Sequence, residues 1–338
     1  MSRTRVLVIV VAVVLTGVVG CGEGSGAGSA TGNNGGNNGG NNGVDGVGHV
    51  SYILDGVPWL QEATVGAAPV DLSAGLDALS ARPDSEEPSE TGLALSPDGA
   101  WLGLRTTRFD DACDGWECLA VVRADLSAGG LVRTPSGLVH PEDLAVASGG
   151  ELVVYGEDWK LWATTRGPSQ WSAPVELTAS SPYAFHWRPA LSDDGARVLM
   201  DCGDDSFPAS AICEVGVDGS GFRTVITRDG GPGGAAGPGV HHADYTPDGS
   251  IVFEAEYASG EQLWRLPADG GPPALVNGEL TNDNTPCVLP DGRIASLWLN
   301  RLGSDGGHEL KLMAADGTAQ VMLVMDADIA DVGLGCGR

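Results

Sequence analysis

Lysine is almost missing from this chain. Of its 338 residues only Lys160 and Lys311 carry ammonium groups, and 18 basic residues stand against 45 acidic ones, for a formal charge of −27. A body this acidic repels phosphate backbones and anionic headgroups, which excludes nucleic acid as a partner and adsorption onto acidic lipid. Cysteine is absent between Cys21 and Cys113, and no pair stands in Cys-x-x-Cys spacing, so a zinc ribbon has no ligand set. Long apolar runs are scarce too. The one present, residues 6–20, is shorter than the roughly 20 residues a membrane-spanning helix needs. No Gly-x-Ser-x-Gly elbow and no Gly-x-x-x-x-Gly-Lys loop occurs, which removes the α/β-hydrolase nucleophile and the phosphate-cradling loop.

The apolar run follows Arg3 and Arg5 and reads as an export signal over residues 1–20. It ends Val18-Val19-Gly20-Cys21, which resembles the bacterial lipobox. That resemblance implies acylation of Cys21 and a stable hold on a bilayer, since several acyl chains bind where one does not. Residues 21–46, with near-identical units starting at Asn33, Asn37 and Asn41, have no apolar surface to bury and form a flexible tether reaching roughly 25 Å. Gly22 follows the cysteine where enterobacterial sorting rules watch for Asp, which favours the outer membrane over the cell membrane and places the protein outside the cytoplasm. Beyond Cys21 the cysteines number six, an even count suited to disulfides in an oxidising compartment.

Residues 47–338 repeat one pattern: a short apolar run, a turn rich in Asp and Gly, and a second apolar run. The copies are Leu95-Ser96-Pro97-Asp98-Gly99, Leu191-Ser192-Asp193-Asp194-Gly195, Tyr245-Thr246-Pro247-Asp248-Gly249 and Leu289-Pro290-Asp291-Gly292, with a decayed copy at Val146-Ala147-Ser148-Gly149-Gly150. Successive turn glycines stand 51, 45, 54 and 43 residues apart. A period in the forties with four short strands per period marks a β-propeller. Six runs read as third strands, so the expected fold is all-β, a six-bladed propeller of four-stranded antiparallel blades. Only the tether precedes blade 1, and a lone strand-like run over 329–336 ends the chain. The last segment is therefore expected to supply the innermost strand of blade 1 and close the ring.

The Ser-Pro-Asp-Gly turns, with third strands running into Ala268-Asp269-Gly270 and Ala315-Asp316-Gly317, resemble the repeats of TolB-like six-bladed propellers. The resemblance covers nearly all of 48–338 and implies an extracytoplasmic, often protein-binding, propeller. It carries no catalytic residue, because the repeat motif is structural. Ring closure puts Cys287 and Cys336 on neighbouring inner strands, and hairpin spacing brings Cys113 to Cys118 and Cys202 to Cys213, so these three disulfides are expected.

Aligning the turns places Glu90, Glu142, His186, His241 with His242, and Asp283 near equivalent positions where the first strands begin. Glu142, His186, His241, His242 and Asp283 are thus the candidate ligand site at a channel mouth, with residues 229–239 as its cover. Trp101, Trp162, Trp264 and Trp298 fall on strands and read as core between blades, whereas Trp116, Trp159, Trp171 and Trp187 stand nearer loops. Two functional classes fit. One is a monomeric, non-enzymatic lipoprotein scaffold that binds a protein or peptide and needs no cofactor. The other is an enzyme, a lyase or hydrolase acting on a small or carbohydrate substrate through a divalent metal held by the channel histidines.

Overall fold

The computed structural model describes residues 48–80, 89–113, 117–204, 210–230, 239–257, 260–276, 282–299, 307–325, 329–330 and 333–337. The signal, Cys21, the tether, Trp116 and the 231–238 part of the expected cover lie outside the described residues. Among the described residues no helix is long and apolar enough to cross a membrane.

Six four-stranded antiparallel sheets form the blades of a ring. Their inner strands are Gly335–Gly337 in blade 1, Glu90–Leu95 in blade 2, Leu144–Val146 in blade 3, Phe185–Leu191 in blade 4, Gly239–Tyr245 in blade 5 and Asp283–Val288 in blade 6. In blade 1 the C-terminal strand pairs with His49–Leu54, Cys336 lying opposite Val50, so the two ends of the domain close the ring as expected. Disulfides join Cys113 to Cys118, Cys202 to Cys213 and Cys287 to Cys336, with Cα atoms 5.5, 6.2 and 5.5 Å apart. The last of these ties blade 6 to blade 1 across the seam. Two additions escape the repeat: a helix, Ser73–Ser80, between blades 1 and 2, and a small hairpin, Arg133–Thr134 with Gly137–Leu138, after blade 2.

The repeated turn explains its own sequence. In each copy the Asp carboxylate accepts the backbone N–H two residues on: Asp98 from Ala100, Asp194 from Ala196, Asp248 from Ser250 and Asp291 from Arg293, at 3.0–3.1 Å. Ser192 and Thr246 hydroxyls donate to the same carboxylates at 2.6 Å, and those hydrogen bonds hold Asp194 and Asp248 below the usual carboxylate range. The turn glycines sit at φ of 65–86°, where a side chain is costly. Blade 3 lacks its own Asp, and its Gly149 N–H binds Asp98 of blade 2 instead, at 2.9 Å.

Hydrophobic burial is divided among the six blade interfaces, with no single central core. Period-2 alternation sends neighbouring residues of one strand to opposite neighbours. In blade 4, Val198 and Met200 pack with blade 3 while Leu199 packs with blade 5; in blade 5, Phe253 faces blade 4 while Val252 faces blade 6. Similar clusters join blades 1 and 2, 2 and 3, and 6 and 1. The strand tryptophans Trp101, Trp162, Trp264 and Trp298 are only half-buried, which corrects their reading as core. Trp101, Trp162 and Trp264 pack against the blade clusters from partly exposed positions. Trp171 and Trp187 are the buried ones, and Trp159 is exposed.

Candidate functional site

Counting back from each turn glycine separates two kinds of polar residue on the inner strands. Nine residues back stand Glu90, His186 and Asp283, all at most 3% exposed. Each is bound into the blade. Glu90 pairs with Arg108, and Asp283 accepts from Lys311 Nζ at 2.6 Å and Ser296 Oγ at 3.3 Å. His186 meets the Trp159 carbonyl through Nδ1 at 3.2 Å and Ser181 Oγ through Nε2 at 2.7 Å. Burial lowers its pKa, only partly opposed by the Trp159 carbonyl.

Seven residues back stand Gly92, Asp143, Arg188, His242 and Thr285, and these line a central cavity of about 180 Å³. All six inner-strand segments contribute, from Glu142 and Thr285 near the strand starts to Pro97, Pro247 and Pro290 in the turns. The switch between the two sets is a β-bulge. Pairing with the second strand slips between Trp187 and Ala190, between His241 and Asp244, and between Asn284 and Cys287. The extra residue turns the next side chain to the other face. At the bulge Arg188, His242 and Thr285 take φ of 54°, 47° and 45°, a left-handed conformation costly for side-chain-bearing residues.

Carboxylates of the preceding blade hold each bulge in place. Arg188 N–H donates to Asp143 at 3.1 Å, His242 N–H to Asp201 at 3.0 Å and Thr285 N–H to Glu254 at 3.1 Å. The same acids take the basic side chains: Arg188 Nη1 lies 3.4 Å from Asp201, and His242 Nδ1 2.9 Å from Glu254. Burial alone would raise the Glu254 pKa, but the two histidines and the Thr285 N–H overcome it and bring it to about 2.

The five sequence candidates do not converge. Glu142 and His242 line the cavity, while His186, His241 and Asp283 do not. His241 is 1% exposed, with Asp201 3.8 Å from Nδ1 and Glu256 3.6 Å from Nε2. Burial opposes its charge, yet Asp201 and Glu254 prevail and raise its pKa. Glu142 reaches solvent, but surrounding protein, with Asp143 and Asp158 nearby, raises its pKa against the pull of the Trp159 N–H. Among the described residues no three His, Cys, Asp or Glu side chains stand in metal-holding geometry, so no donor set for a divalent ion assembles from the histidines.

Asp143, Arg188, Asp244 and Thr285 are wall residues the sequence reading missed; the fixed count from the turn glycine would have found them. Asp244 stands five residues back, level with Ala94, Ala145, Ala190 and Cys287. A carboxyl among such small apolar side chains is poorly solvated. Burial pushes its pKa up to about 7, although Val288 and Tyr245 N–H groups donate to it at 2.7 and 2.8 Å.

No protein-family model and no curated protein sequence matches the chain. Solved structures do. A putative TolB from Agrobacterium tumefaciens is similar at 16% identity and a TM-score of 0.53, over 82% of this chain and 88% of that one. TolB from Acinetobacter baumannii is similar at 9% identity and 0.60, over 87% and 69%. A puromycin hydrolase is similar at 20% identity and 0.50, over 73% of this chain but only 40% of its own length. At these identities the likeness is one of fold: the chain is a TolB-like six-bladed propeller.

Proposed function

We propose that this protein is an extracytoplasmic propeller, tethered to a membrane through acylated Cys21, that binds a protein or peptide partner at its central channel without chemistry of its own. The observation that carries the reading is the bulge in three successive blades. Arg188, His242 and Thr285 hold a strained conformation whose effect is to turn polar side chains into a shared cavity, and strain of this kind collects at ligand sites. A cavity of about 180 Å³ has room for a side chain or chain end. The tether and the TolB-like fold support the same reading, since a flexible leash lets a folded binder sweep the space beside a membrane.

A photoreactive amino acid at position 190, where Ala190 lines the cavity, tests it in the native host. A discrete protein adduct, absent when the same group sits at Ser127 on an outer turn, supports partner binding at the channel. Adducts of equal pattern at both positions defeat it. Mass spectrometry of the membrane-extracted protein tests the anchor, with an acylated Cys21 terminus expected. The enzymatic alternative draws support from Asp244 alone, a carboxyl held near neutrality and so fit for proton transfer. Hydrolysis or elimination lost in Asp244→Asn would favour it.

A further inference from the structure

We propose that the channel reads a basic side chain, arginine or lysine, of the polypeptide partner; this rests on the channel-binding reading above. The cavity wall is negative in its net offer to a ligand. Its two basic side chains are already committed behind the wall, Arg188 to Asp201 and His242 to Glu254. Among the described residues Glu142, Asp143, Asp193 and Asp244 also line the cavity, and none has an ion-pair partner there. The nearby cations are taken as well: Arg105 pairs with Glu117, and Lys160 with Glu176. A guanidinium or ammonium entering the channel would meet acceptors without displacing an existing pair.

One feature independent of the carboxylates points to a cationic ligand. Beside Glu142, Asp158 and Trp159 form a two-residue turn with φ of 52° and 62°, positions that such turns normally give to Asn and Gly. The turn is clamped in place. Trp159 N–H is held by the Glu142 carboxylate, and its carbonyl accepts from His186 N at 3.0 Å. The result is an indole 42% exposed, braced edge-on by Phe185 at 5.3 Å and Trp187 at 6.4 Å. An exposed indole beside Glu142 and Asp158 suits the flank of a chain whose basic side chain continues into the cavity. A neutral sugar would use the indole but leave the unpaired wall charge unanswered.

The test is calorimetry and tryptophan fluorescence on the purified full chain in detergent, titrated with capped Gly-Arg-Gly, Gly-Lys-Gly, Gly-Gln-Gly and Gly-Glu-Gly. The basic peptides should bind at least about tenfold tighter than the glutamine peptide, a tenfold step being the unit in which such discrimination is read. Affinity should fall with added salt, drop about tenfold or more in the Asp143→Asn/Asp244→Asn double variant and drop severalfold in Trp159→Ser. Near-ultraviolet circular dichroism would show that the variants remain folded, and Glu142→Gln, which keeps the hydrogen bond to Trp159, gives a milder loss by the same charge logic. Equal binding of the glutamine peptide, preference for the acidic one, binding of maltotriose or of Ca²⁺ alone in place of peptide, or no binding below about 1 mM each overturns the inference. The adduct at position 190 separates the two readings. If it forms while basic peptides show no advantage, partner binding stands and the basic-residue assignment falls; if neither appears, both fall.

Discussion

His241 and His242 are chain neighbours with opposite situations. His241 is sealed between blades among Asp201, Glu254 and Glu256, whereas His242 stands on the channel wall in a left-handed conformation. The contrast extends around the ring. Glu90, His186 and Asp283 belong to the sealed set, and Asp143, Arg188 and Thr285 to the wall. Polar residues where inner strands begin therefore fall into two sets: one anchors strands to their own or neighbouring blades, and the other lines the channel. In blades 2, 4, 5 and 6 an inserted residue in the inner strand separates the two positions.

The comparison is most exposed to failure at Lys311. Replacing it with Met removes the Nζ that the fully buried Asp283 accepts from, which should cost about 3–5 kcal/mol in urea unfolding. Asp143→Asn on the wall should cost about 1 kcal/mol or less, since the amide oxygen still accepts from Arg188 N–H. Equal losses would erase the distinction between sealed and wall residues. The seam comes next: removing Cys287 and Cys336 together should lower stability by about 2–4 kcal/mol, whereas the same change at Cys113 and Cys118, which closes a far shorter loop, should cost less.

Asp244 sharpens the wall side of the comparison through pH. Its folded pKa of about 7 lies above the ordinary aspartate value of 3.8, so the native state binds a proton that the unfolded state has released. The stabilisation is complete below about pH 4 and is lost as pH rises to about 7, with a slope of at most about 1.4 kcal/mol per unit. Asp244→Asn should flatten that part of a stability-versus-pH curve; an unchanged curve would show the carboxyl to be well solvated. The smallest effect separates two sealed histidines. The contribution of His241, with its raised pKa, is complete below about pH 6.5 and lost as pH rises through the folded value. That of His186, with its lowered pKa, is present above about pH 6.5 and lost on acidification. His241→Gln and His186→Gln should therefore change the slope of stability near neutrality in opposite directions, each by about a kcal/mol or less per pH unit.

Much of the architecture could be read directly because the signals were local. A turn Asp that caps the N–H two residues on, and a glycine at positive φ, are chemical requirements of the hairpin itself, repeated each time one is made. The candidate site was legible only in part. Position along the repeat located the right strand segment, but aligning the turns grouped His186, His241 and Asp283 with Glu142 and His242 without deciding which face each side chain takes. The bulge breaks the strand's alternation and leaves no composition signal, because Arg188, His242 and Thr285 share neither charge nor size.

By itself, then, the sequence determined the number of blades, the place of each turn and the closure of the ring by the C-terminal strand, since each follows from hydrogen bonding and periodicity within some fifty residues or from a strand left without partners. Only the tertiary structure decided which polar residues face the channel, why Asp244 titrates near neutrality, and that Arg188 and His242 are neutralised from behind. Those outcomes depend on what the preceding blade places against each bulge. Asp201 and Glu254 lie 41 and 31 residues from the N–H groups they hold, and no local rule of sequence connects groups that meet only when one blade packs upon the next.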